Sequence, residues 1–94
     1  MQKKEQTENK GFQQIATLTA ATKLTVPAGA RMCRIEATTQ AIRWRDDGTA
    51  PTTTVGMLMN VGDILTYDGT VVALTALRFI EVTASAKLNV SYYS

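Results

Sequence analysis

Three features of the sequence predict an all-β fold, a compact antiparallel β-sandwich with a small jelly roll as one form of it. From Gln14 onward the apolar runs are short and punctuated by Gly, Pro and Asp, as expected when strands of about 5–6 residues alternate with turns. Thr and Val are abundant, and both fit the pleated, half-buried surface of a sheet. Apolar and polar residues alternate with period two over most of the chain, the pattern of antiparallel sheets covered on one face each.

The elements follow in order. Residues 1–10 contain no apolar residue after Met1, so burial cannot offset their ordering entropy. Residues 1–12 are therefore expected to form an extended polar arm that takes up structure only against something else. Residues 13–94 form the single β domain. Strands are predicted at Gln14–Thr19, Lys23–Val26, Arg31–Thr38, Ala41–Asp46, Val55–Asn60, Asp63–Tyr67, Ala76–Thr83 and Lys87–Tyr93. Val26-Pro27-Ala28-Gly29 places Pro where φ is preset and Gly where φ is free to be positive. Asp47-Gly48 and Asp68-Gly69 are hairpin signals, and Asn60-Val61-Gly62-Asp63 is a further tight corner. Thr70–Ala76 reads either as a strand or as a loop that drops Val72 and Leu74 into the core; no convincing amphipathic helix is visible.

The alternation assigns faces. Cys33, Ile35 and Ala37 lie opposite Met32, Arg34 and Glu36. Ile42 and Trp44 lie opposite Arg43 and Arg45. Ile80 and Val82 lie opposite Phe79 and Glu81. Leu88, Val90 and Tyr92 form the last stripe, with Tyr93 on the other face.

Composition excludes more than it assigns. The 94-residue chain has no histidine, which removes the commonest general base, metal ligand and pH switch. A lyase on a jelly roll would normally hold a metal on a histidine cluster, so an enzyme is not expected. A single cysteine, Cys33, allows no disulfide within the chain. It shares its face with Ile35 and Ala37 and reads as a buried, inert thiol rather than a nucleophile. A net charge of +2 is too small to point to nucleic acid or to a membrane surface. No apolar run approaches the roughly 20 residues of a spanning helix, and no secretory signal is recognisable at the N-terminus.

The candidate constellations are few. Arg43–Trp44–Arg45 is compatible with a nucleic-acid patch, but a core Trp with charged residues on the outer face explains it better. The arginines would then pair with Glu36 or Glu81 on a neighbouring strand, or hold a neighbouring subunit. Asp46, Asp47, Asp63 and Asp68 match no calcium-loop signature and sit where Asp caps turns. Nothing brings two of these carboxylates together for hydrolysis. Met57, Leu58 and Met59 read as core or subunit packing. No catalytic, cofactor-binding or metal-binding residue is assigned, and no cofactor is expected. The residues expected to contact a partner are Lys3, Lys4 and Lys10 in the arm, Arg43 and Arg45 on the outer face, and Tyr93 near the C-terminus.

Several blocks carry a resemblance. They are Leu24-Thr25-Val26-Pro27-Ala28-Gly29-Ala30, Ala41–Thr52, Val55-Gly56-Met57, Leu77–Glu81 and Ala86–Tyr93. In their order they resemble a group of small β-rich accessory virion proteins of tailed bacteriophages, and the likeness spans residues 24–94. The resemblance implies a capsid decoration or cement protein first, and a head-fibre, head-vertex or tail-associated protein next. It implies no catalytic residues. The partner it implies is the major capsid protein or another virion protein. The location it implies is the virion, assembled in the host bacterial cytoplasm. A homo-oligomer is expected. A trimer is the arrangement suggested by fold-level analogy with jelly rolls packed around three-fold axes. A receptor- or carbohydrate-binding module on a fibre is the alternative, with Trp44 as a sugar platform; one Trp, three Tyr and two Phe are few aromatics for that role.

Overall fold

Among the described residues, the period-two alternation is realised as eight strands in two four-stranded sheets. The computed structural model describes residues 8–94; the arm residues Lys3 and Lys4 lie outside the described residues. The strands are β1 (Asn9–Ile15), β2 (Thr22–Lys23), β3 (Met32–Thr38), β4 (Ile42–Arg45), β5 (Met57–Met59), β6 (Ile64–Asp68), β7 (Arg78–Glu81) and β8 (Lys87–Tyr93), with a short helix α1 (Val71–Thr75) between β6 and β7. One sheet has the order β1-β8-β3-β6 and the other β2-β7-β4-β5.

Every pair is antiparallel. The topology has a simple reading. The chain is one long hairpin in which β1 pairs with β8, β2 with β7, β3 with β6 and β4 with β5. Rolling it up adds the pairs β3–β8 and β4–β7. This is the eight-stranded jelly roll, so the all-β sandwich expected from the sequence is present.

Register explains the core. In the first sheet Tyr92 lies opposite Gly11 and Cys33, and Cys33 opposite Tyr67. Val90 lies opposite Gln13 and Ile35, and Ile35 opposite Leu65. These inward rows meet Ile42, Phe79 and Met59 from the second sheet. Leu18, Leu24, Leu74, Leu77 and Ala86 close the ends, and all are buried. Each large side chain so buried contributes about 1.5–3 kcal/mol relative to exposure. The outward face of the first sheet carries a polar run flanked by exposed Phe12 and Ile64. Gln14 Nε2 donates to Asn89 Oδ1 (2.9 Å), and Asn89 Nδ2 donates to Glu36 Oε1 (3.3 Å).

The structure departs from the sequence reading in four places. The first strand is Asn9–Ile15 rather than Gln14–Thr19, so the sheet begins inside the segment assigned to the arm. Pairing with β8 supplies the ordering that the polar side chains cannot. Lys10 is the extra residue of a bulge, since Asn9 lies opposite Tyr93 and Gly11 opposite Tyr92.

The strands predicted at Lys23–Val26, Val55–Asn60 and Ala76–Thr83 shorten to Thr22–Lys23, Met57–Met59 and Arg78–Glu81. Asp47-Gly48 does not close a tight hairpin, because residues 46–56 form a loop between β4 and β5. Asp68-Gly69 opens a helix instead of a hairpin. Thr70 caps it by accepting the Ala73 N–H on its hydroxyl (3.3 Å). A Cβ on Gly69 would stand 2.8 Å from Ala73 Cβ, which accounts for glycine there. Leu74 is buried as expected, but Val72 is 81% exposed.

Candidate interaction surfaces

Alternation along β4 sends Ile42 and Trp44 inward and Arg43 and Arg45 outward, as the sequence predicts. Trp44 is half-buried and packs against the core. Its ring meets Tyr67 edge-on, with centroids 6.4 Å apart and planes at 86°. It thus ties β4 in one sheet to β6 in the other, a favourable aromatic geometry. Tyr67 also donates its hydroxyl to Asp46 Oδ2 (2.6 Å); that bond raises the tyrosine pKa.

The two arginines do not pair with Glu36 or Glu81. Arg43 donates from Nε to the Thr53 carbonyl (3.2 Å) and from Nη1 to the Gly56 carbonyl (3.0 Å). It is the strut of the 46–56 loop. Gly56 sits at φ 142°, and a Cβ there would lie 3.1 Å from Pro51 Cβ and 3.2 Å from both Arg43 Cβ and the Trp44 carbonyl oxygen. The loop therefore closes down on β4 at a position only glycine fits. Arg45 grips Asp47 on its own strand end, with Nε to Oδ1 at 3.1 Å. That bond, together with the Thr49 N–H, lowers the Asp47 pKa. Glu36 belongs to the other sheet, and Glu81 lies opposite Ile42.

The remaining expected contact residues are placed separately. Lys10 is half-buried at the β1 bulge, with its ammonium 3.9 Å from Glu8. Tyr93 is half-buried at the end of β8, between Asn9 and Met32. Tyr92 on the other face is buried, and its hydroxyl donates to Gln13 Oε1 (2.7 Å). The structure therefore does not bring Lys10 and Tyr93, at the β1–β8 sheet end, together with Arg43 and Arg45 on the second sheet.

Of the four aspartates expected to cap turns, Asp47 and Asp63 do so, whereas Asp46 accepts the Tyr67 hydroxyl. Asp63 Oδ2 accepts the Asn60 N–H (2.8 Å) at the β5–β6 corner, and Asp47 accepts the Thr49 N–H. No group of three metal-ligating side chains occurs among the described residues, and no helix there is long and apolar enough to cross a membrane. Cys33 is fully buried, and desolvation pushes its thiol up to about 11. A thiol so held is not a nucleophile at neutral pH.

One surface escaped the residue-by-residue reading. Val55, Met57, Leu58, Val61 and Ile64 are all about half exposed or more, while Met59 is buried. Val55 lies at the end of the 46–56 loop, Met57 and Leu58 on β5, Val61 at the β5–β6 corner and Ile64 at the start of β6. β5 and β6 are edge strands of their respective sheets; by register Leu58 faces outward with Arg43 on the second sheet, Ile64 faces outward with Glu36 on the first, and Met57 shares the inner face with Trp44. Edge strands are usually blunted by charge; residues 55–62 carry none. The sequence did hold a signal. Met57-Leu58-Met59 breaks the polar–apolar alternation, so one of its faces has to remain apolar outside the core.

These features define a small jelly roll. The chain was compared with protein-family models, curated proteins and solved structures, and none of them matches it.

Proposed function

We propose that this protein is a non-enzymatic structural protein of a bacteriophage particle, a capsid decoration or cement protein seated at junctions of the major capsid protein. The observation that carries the reading to a mechanism is the set of exposed apolar side chains on and around β5 and at the start of β6, with no charge in residues 55–62. Val55, Met57, Leu58, Val61 and Ile64 offer water-exposed area whose burial against a neighbouring subunit is favourable. Each contact is modest, but many copies on a particle add avidity without new chemistry.

The resemblance of residues 24–94 to accessory virion proteins supports the assignment to a phage. The jelly roll, an architecture used in viral capsid and lectin domains, is compatible with it at the level of analogy. In this reading the protein acts as a homo-oligomer on the virion, after assembly in the host cytoplasm. Quantitative mass spectrometry of washed particles of the encoding phage tests it. The protein is expected in fixed stoichiometry to the major capsid protein, and its absence would overturn the proposal. A labelled-antibody electron micrograph of the same particles separates a head location from a fibre, vertex or tail location.

A further inference from the structure

The outer face of the second sheet holds an unusual row. Lys23 on β2 lies directly opposite Arg78 on β7, and Arg78 lies directly opposite Arg45 on β4. Like charges in such cross-strand register destabilise a sheet. Arg45 is relieved by Asp47. Neither Lys23 nor Arg78 has a salt bridge among the described residues, and the Arg78 Nε is shut off from water without a hydrogen-bond partner. Arg43, in the next row, is already spent on loop carbonyls. Among the described residues, two cations thus stand side by side without a salt-bridge partner.

They also line a recess. An open hollow of about 350 Å³ is lined by Lys23 and Arg78 together with Val71, Val72 and Ala76 of the α1 segment. Val72 is the most exposed of the large apolar side chains among the described residues. The lining thus combines cations, which attract negative charge, with apolar side chains, which attract aliphatic surface.

We infer that this recess binds an acidic segment of a partner protein, with a carboxylate held by Lys23 and Arg78 and a neighbouring aliphatic side chain packed on Val71 and Val72. Charge complementarity selects the carboxylate. A guanidinium beside an ammonium is a strong receiver for it, because charge-assisted bonds are shorter and stronger than neutral ones. The apolar part of the lining selects a peptide over a bare anion. Nucleic acid fits poorly, since it calls for a track of cations and aromatic stacking platforms, whereas no aromatic residue lines this hollow. The inference uses none of the residues of the β5–β6 edge and stands whether or not the protein belongs to a particle.

The test is a titration of the isotope-labelled full chain followed by heteronuclear NMR. The probe is the peptide acetyl-Val-Glu-Val-Asp-amide; the controls are acetyl-Val-Gln-Val-Asn-amide, inorganic phosphate and a short oligothymidylate. The acidic peptide is expected to move the Arg78 Nε–Hε signal and the amides of Gly48 and Thr75 in a saturable manner. Binding should weaken about tenfold or more for the neutral peptide and for Arg78→Gln, the equivalent of one charge-assisted bond. Lys23→Gln, at an exposed position, should do the same without disturbing the fold. Four results would overturn the inference: equal binding of the neutral peptide, unchanged binding by Lys23→Gln, the same shifts at the same concentration with phosphate or oligothymidylate, or shifts of these signals with protein concentration alone. The last would make a second copy of the chain the occupant.

Discussion

Arg43 shows how a surface charge becomes a structural part. Its guanidinium spans two carbonyls of the 46–56 loop, one of them partly buried. Replacing it by Met removes two charge-assisted bonds and is expected to cost about 1.5–3 kcal/mol of stability. Denaturant unfolding measures that loss, and hydrogen exchange should quicken at residues 53–56 while β3 and β8 stay protected. Cys33 supplies a second test at this scale. Its pKa rises from 9.0 to about 11 in the fold, chiefly through desolvation. Below pH 9 the folded and unfolded chains both hold the proton, so stability is unaffected there. Between pH 9 and about 11 the unfolded chain releases it and the native chain does not. Stability therefore falls with rising pH across that window, by about 2–3 kcal/mol in all. Tyr92, pushed above its ordinary range by burial, acts in the same direction. Denaturation curves at pH 7 to 11 should show the decline, and Cys33→Ala should flatten it. The facing directions of Arg43, Trp44 and Arg45 were legible in the sequence because alternation is a local property. Their partners were not, because the loop carbonyls reach Arg43 only through the path of residues 46–56.

At the scale of elements, α1 is the instructive case. Five residues are too few for a helix to stand alone. It persists through its Thr70 cap, the close approach at Gly69 and the anchoring of Leu74 in the core. Thr70→Ala should lower stability by about 1 kcal/mol. Leu74→Ala should lower it by about 2–5 kcal/mol, whereas Val72→Ser should stay within about 0.5 kcal/mol. Thermal or denaturant unfolding of the three variants gives that ranking; equal losses at Val72 and Leu74 would contradict the helix. In the sequence, Val71, Val72, Leu74 and Leu77 fit neither period over so short a stretch, so strand and loop were the natural expectations. β1 was hidden for a different reason. Its side chains are mostly polar, and its place in the sheet comes from backbone pairing with β8, at the far end of the chain. β3 and β8, with strict apolar stripes on one face, were legible almost to the residue.

For the whole molecule, the sequence carried the fold class but not the strand order. Alternation says that strands have an inner face; it does not say which strand lies beside which. The order β1-β8-β3-β6 and β2-β7-β4-β5 follows from rolling a single long hairpin, a global arrangement with no local signature. The same roll leaves β5 and β6 as edges, with exposed Met57, Leu58 and Ile64 on them and exposed Val55 and Val61 flanking β5. The central claim of the proposed function is that these side chains form the seat on the particle. It is tested most directly by adding the purified protein back to particles that lack it and measuring co-sedimentation for the wild type and for Leu58→Glu. The wild type should bind saturably in a fixed ratio to the major capsid protein. The variant, with an unchanged melting temperature, should bind about tenfold more weakly or worse, since a carboxylate buried in an apolar contact loses its hydration without a partner. Equal binding by the two proteins, or no saturable binding by either, would contradict the account.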